Sequence, residues 1–100
     1  LGYAYATNWA SRSAFKNSVE ITVYLHHQQG GNGYGRMLYD KLIPLLSAGG
    51  FHVAIAAISL PNQASIKLHE YLGFTQVAHF KEIGHKFERW IDVGHWQLIL

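Results

Sequence analysis

The sequence predicts a single α/β domain, and three observations carry that prediction. SVEITVYLH (18–26) alternates apolar and polar residues as a strand does; the run after it is apolar at helical spacing; FHVAIAAIS (51–59) is apolar on both faces. Strand, helix and buried strand in that order make a β-α-β crossover with parallel strands. The 100 residues suit one domain with one core, and no repeat, low-complexity tract or linker divides them.

Taken in order, residues 2 to 9 (GYAYATNW) read as a strand and residues 10 to 17 as a polar turn. In the 18–26 strand, Val19, Ile21, Val23 and Leu25 share one face, opposite Glu20, Thr22 and Tyr24. Tyr34, Met37, Leu38, Leu42, Leu45 and Leu46 then recur at helical spacing until Gly49-Gly50, and Pro44 predicts a kink or weakened turn. The two-sided apolar pattern of 51–59 predicts a central strand covered on both sides. Pro61-Asn62 opens a second helix, with Asn62 as N-cap and Gly73 just past its end. Residues 74–83 and 93–100 read as two more strands, joined by an irregular segment with Lys86, Arg89, Trp90 and Asp92.

Composition narrows the function. With 49% apolar and 14% aromatic residues the chain is globular rather than disordered. The net charge of +2 comes from scattered Lys and Arg, so no nucleic-acid partner is expected. The absence of cysteine excludes disulfides, Cys–zinc sites and thiol catalysis. No metal is expected either: His26 and His27 are adjacent on a strand end and face opposite ways, and the other histidines show no chelating spacing. No apolar run reaches membrane-spanning length and no signal-peptide pattern is present, so no membrane partner is expected. The chain starts at Leu1, inside a strand-like run, and reads as the later part of a longer domain.

The segment HHQQGGNGYGR (26–36) carries the chemistry, because its alternating glycines link a strand to a helix. A P-loop needs Gly-Lys-Ser/Thr, and Arg36-Met37 follows Gly35 instead. A dinucleotide fingerprint needs GxGxxG, which neither Gly31 nor Gly33 starts. What remains, GxGxG before a helix, is still an anion site: absent side chains admit an oxyanion to the backbone, and the first helical N–H groups face it. The alternative is a flexible connection.

Four stretches in order, VEITVYLH, GNGYGR, LPNQASIKLHEYLGF and HKFERWIDVGHWQL, resemble the GCN5-related N-acetyltransferase (GNAT) superfamily, in particular its phosphinothricin acetyltransferase branch. The resemblance covers the later part of that domain. It implies a GNAT-like mixed central sheet lacking the N-terminal strand and helices, a cytoplasmic enzyme, and acetyl-CoA as co-substrate. It further implies that Val23, Tyr24 and Leu25 offer backbone groups to the acetyl and pantetheine portion. Gly31, Asn32, Gly33, Tyr34, Gly35 and Arg36 would cradle the diphosphate, and Asn62 would bond the pantetheine arm. Gly30 stands where the family usually has Gln or Arg.

Acetylating an amine requires its neutral form, so a nearby base helps. The resemblance gives Glu20 that role, against the plainer reading of a solvated strand carboxylate. His69 occupies the position from which the branch would relay protons, against the reading of a polar residue on a helix face. Tyr71, about 200° further round the helix, is expected to point elsewhere. Arg12 and Phe15 match an Arg and a Tyr near the acceptor, where Arg12 would pair with an anionic substrate group, against the plainer reading of an exposed loop arginine. Trp90 and Trp96 are expected as core or interface aromatics. The function expected is N-acetyl transfer to a small primary amine, an amino acid or analogue. The rival is a non-catalytic CoA-binding or oligomer-forming module, and strand 2–9 offers an edge for a homodimer.

Overall fold

The structure, a computed structural model, describes residues 2–9, 15–25 and 34–100. Five strands, β1 (Gly2–Asn8), β2 (Ser18–Leu25), β3 (Val53–Ser59), β4 (Thr75–Lys86) and β5 (Arg89–Ile99), form one sheet in the order β1-β2-β3-β5-β4. Only the β2–β3 pair is parallel, so the sheet is mixed. Helix α1 (Tyr34–Ala48) makes the crossover between β2 and β3, and α2 (Gln63–Tyr71) follows β3.

Both helices cover one face of the sheet. Val19, Ile21, Ala54, Ala56, Ile58 and Trp96 point to it and form one buried cluster with Tyr39 and Leu46 of α1 and Phe74 after α2. The buried stripe of α1 is Tyr39, Leu42, Ile43 and Leu46, spaced i, i+3, i+4, i+7. This corrects the helical pattern read from the sequence, which passed over Tyr39 and included Met37 and Leu45, both exposed. The helix runs on through Pro44, which lacks the N–H that would bond one turn back. Strand β3 is central, but only Ala54 to Ala56 are buried on both faces; Ala57 and Ser59 are exposed.

Each helix ends in the same way. Gly50 and Gly73 have positive φ, 87° and 100°. The amides of Phe51 and Phe74 reach back to the carbonyls of Leu46 and His69. These are Schellman caps: glycine takes the left-handed turn, and an aromatic residue follows it into the core.

The segment expected to be irregular is instead a long hairpin. β4 and β5 pair from Thr75↔Gln97 to Lys86↔Arg89, and Phe87 and Glu88 alone make the turn, with φ of 50° and 61°. Two positive φ values mark the turn type that matches strand twist. The usual Asn-Gly signal is absent, so the sequence did not announce it. The register shifts between Phe80 and Gly84, where Glu82 has φ 54°. Asp92 holds this bulge: Oδ1 accepts the Glu82 amide at 2.8 Å and Oδ2 pairs with His79 Nε2 at 2.8 Å. The donated hydrogen bonds, Glu82 first, hold the Asp92 carboxyl below its ordinary range.

Candidate active site

The site begins where the sheet opens. β2 and β3 pair over four residues, Ser18↔Val53 to Ile21↔Ala56, and the ladder then stops although β2 runs on to Leu25 and β3 to Ser59. On its other side β2 stays paired with β1 as far as Gly2↔Leu25. Val23, Tyr24 and Leu25 therefore lie along a strand that has no β3 partner in the ladder. Such an edge can receive an extended, hydrogen-bonding ligand as an added strand.

Glu20 stands at the foot of this opening, one residue before the last paired position and half-buried. Its register neighbours are Thr7 and Ile55. Because Val19 and Ile21 enter the helix-covered core, the Glu20 carboxylate faces the opposite side of the sheet.

Tyr34, Gly35 and Arg36 form the first turn of α1, whose leading N–H groups have no partner within the helix. Gly35 is buried and Arg36 exposed. The preceding candidates Gly31, Asn32 and Gly33, and the acceptor candidate Arg12, lie outside the described residues. Asn62 caps α2 as expected: its Oδ1 accepts the Ser65 amide at 3.1 Å. That leaves its side-chain NH₂ to donate, so a ligand carbonyl is the complementary partner. Phe15, 45% exposed, lies in the turn before β2.

His69 is not a polar residue on a helix surface. It is 4% exposed, and both ring nitrogens are engaged. Nδ1 donates to the Ser65 carbonyl at 2.7 Å, which leaves Nε2 to accept from the Tyr39 hydroxyl at 2.5 Å. The ring also packs edge-on against Tyr39 and Phe74. Burial pushes its pKa below the ordinary value, opposed by the Ser65 bond, so the imidazole is neutral at neutral pH. Where the sequence reading expected a proton carrier, the structure shows a buried ring that joins α1 to α2. Burial likewise pushes the Tyr39 phenol up and keeps it protonated.

Tyr71 does point elsewhere, 65% exposed, with the Arg36 guanidinium 4.7 Å from its ring centroid. Trp96 is a core residue at 1% exposure, its indole N–H donating to Glu70 at 3.2 Å, whereas Trp90 is exposed and stacks on His85. Sequence reasoning passed over His95, which lies on the Glu20 face, because Glu20 pairs with Ile55, Ile55 with Gln97, and His95 is two residues from Gln97. Its ring sits between Trp9 and Phe80 at 5.6 and 5.1 Å. Its alternation with buried Trp96 was the available signal.

A mixed sheet whose two parallel strands, joined through α1, part beyond Ile21 matches the acetyltransferase fold. The chain matches the acetyltransferase (GNAT) domain model over residues 1–95 and belongs to that family. It is 43% identical over 96 residues to phosphinothricin N-acetyltransferase of Streptomyces viridochromogenes, covering 96% of this chain and 52% of that protein. It is 42% identical over 99 residues to the L-amino acid N-acyltransferase MnaT of Escherichia coli, covering 99% of this chain and 58% of that one. An acetyltransferase of Salmonella typhimurium, solved with acetyl-CoA, superposes with TM-score 0.93 at 43% identity, covering 99% of this chain and 57% of its own. A phosphinothricin acetyltransferase of Sinorhizobium meliloti, also in complex with acetyl-CoA, gives 0.92 at 37% identity, covering 99% and 54%. The chain thus spans about half the length of the curated relatives it matches.

Proposed function

We propose that this chain forms the acetyl-CoA-binding and catalytic part of an N-acetyltransferase whose acceptor is the primary amine of an amino acid or phosphinothricin-like analogue. One observation carries the reading: the β2–β3 ladder ends one residue beyond Glu20. A thioester arm lying along Val23, Tyr24 and Leu25 would bring its carbonyl to the point where the strands part. Asn62 donates to the arm. Gly31, Asn32, Gly33, Tyr34, Gly35 and Arg36 receive the diphosphate at the start of α1.

Glu20 accepts the proton of the incoming ammonium, directly or through water. The neutral amine nitrogen then attacks the thioester carbonyl, the new C–N bond forms and the C–S bond breaks. The proton that this nitrogen sheds passes to the leaving thiolate, directly or through water, to release the CoA thiol. His69 serves by positioning: through Tyr39 it fixes α1, and hence the phosphate end, against α2. By the family resemblance Arg12 would pair with the acceptor's carboxylate or phosphinate, and Phe15 would contribute to the same acceptor site. The relatives' amino-acid acceptors support this substrate class.

The test is acetyl-CoA titration together with thiol release over a panel of amino acids. Thiol release that needs an amine and vanishes in Glu20→Gln, while acetyl-CoA still binds, is the expected result. Tight binding without thiol release for any amine would instead make the chain a CoA-binding module. For assembly we propose a homodimer in which an edge strand of the sheet pairs with its copy. Light scattering giving a monomer mass across concentration would end that reading.

A further inference from the structure

Tyr71 ends α2 and takes no part in the core, where Leu68, Leu72 and Phe74 do the packing. A ring left 65% exposed usually contributes little. This one has the Arg36 guanidinium over its face at 4.7 Å. Arg36 belongs to the first turn of α1, directly after the glycine segment, and among the described residues it forms no ion pair. A cation–π contact engages the guanidinium charge without using up its five N–H donors, so a second, anionic partner can still be bound. A free arginine would lose much rotamer freedom on gripping an anion, and a stacked one has already given part of it up.

We propose that Tyr71 is a positioning residue that holds the Arg36 guanidinium over its ring at the end of α2, so that N–H donors of Arg36 are presented to phosphate of the bound nucleotide thioester. This rests on the acetyl-CoA reading above. It adds a residue that makes no core contact and acts through another side chain. The two helix ends are thereby coupled twice, by Tyr39–His69 inside and by Arg36–Tyr71 at the surface.

The experiment measures acetyl-CoA affinity by calorimetry, and KM and kcat with a good amine acceptor. Tyr71→Ala should weaken acetyl-CoA binding and raise its KM about two- to fivefold, with kcat unchanged. Tyr71→Phe, which keeps the ring, should restore both. In an Arg36→Ala background, Tyr71→Ala should add nothing. With S-acetylpantetheine, which has no phosphate, Tyr71→Ala should match the unsubstituted protein. Dephospho-CoA then assigns the contact: a Tyr71→Ala effect that persists places Arg36 on the diphosphate, and one that disappears places it on the 3′-phosphate. Additive effects of the two alanines, an effect surviving on S-acetylpantetheine, or no rescue by Phe would overturn the proposal while normal binding and turnover of acetyl-CoA left the parent reading standing. Failure to bind acetyl-CoA at all would overturn both.

Discussion

Strand β3 has two edges that behave differently. Against β5 all seven of its residues pair, from Val53↔Ile99 to Ser59↔Val93; against β2 only four do. The closed edge is backed by Trp96, the bulkiest buried side chain, and by its bond to Glu70. The open edge forgoes ladder hydrogen bonds, each worth about 0.5–1.5 kcal/mol net, and leaves the backbone of Val23 to Leu25 without partners from β3. One side of a single strand holds the fold together, and on the proposed function the other admits the thioester arm. Mutations should separate these two functions.

The largest expected effect falls on the open side. Glu20→Gln should lower kcat on the order of 10²- to 10⁴-fold, about 3–5 kcal/mol of barrier, because the amine loses its base. The urea midpoint and acetyl-CoA affinity should not move. A variant that keeps full kcat would show that the carboxylate is only a solvated strand residue.

Next comes the closed side. Gly94 lies two residues before Trp96, and a methyl group at Gly94 would run into the six-membered part of that indole. Gly94→Ala should destabilise by about 1–3 kcal/mol as the ring is forced from its seat, read as a lower urea midpoint. Residual folded protein should bind acetyl-CoA normally. An unchanged midpoint would mean that Trp96 has room to turn.

Between the two edges, the His69–Tyr39 link predicts a pH effect on stability. His69 is held below its ordinary pKa of 6.5 in the folded chain. As pH falls, the unfolded chain takes up this proton first, so stability rises with pH across the window. The contribution is whole above about pH 6.5 and is lost as pH drops through the lower folded value. Tm should therefore fall on going from about pH 7.5 to about pH 5.5, and the fall should be shallower in His69→Gln. An equal slope in both would place the titration elsewhere.

What the sequence disclosed follows from how local each signal is. The caps at Gly50, Asn62 and Gly73, and the alternation Val19–Glu20–Ile21, are written in consecutive residues. The parting of β2 from β3 is not. It depends on where two strands some thirty residues apart cease to touch, and neither strand changes composition there. His69 shows the same limit. Its place in LHEYLGF marked it out, but only the fold brings Tyr39 onto its ring. Arg36 and Tyr71 were read separately, one as a phosphate ligand and one as irrelevant, because their stacking crosses two helices.

The smallest expected effect tests the hairpin that the sequence hid. Phe87 and Glu88 adopt φ of 50° and 61°, a conformation costing roughly 1–2 kcal/mol for an ordinary L-residue. Phe87 is 91% exposed, so trimming it removes little packing. Replacing the pair by Asn-Gly (Phe87→Asn with Glu88→Gly) relieves the strain, while the added glycine returns about 0.5–1 kcal/mol of chain entropy to the unfolded state. Asn keeps much of the left-handed cost at position 87, so chiefly the strain at 88 is relieved. The net gain should be about 1 kcal/mol, seen as a small rise in Tm with kcat unaltered, since the turn lies beyond the β3–β5 ladder. A drop in stability that depends on protein concentration would give a different answer: Phe87 would then be buried in the assembled protein, and its exposure in one copy would mark an interface.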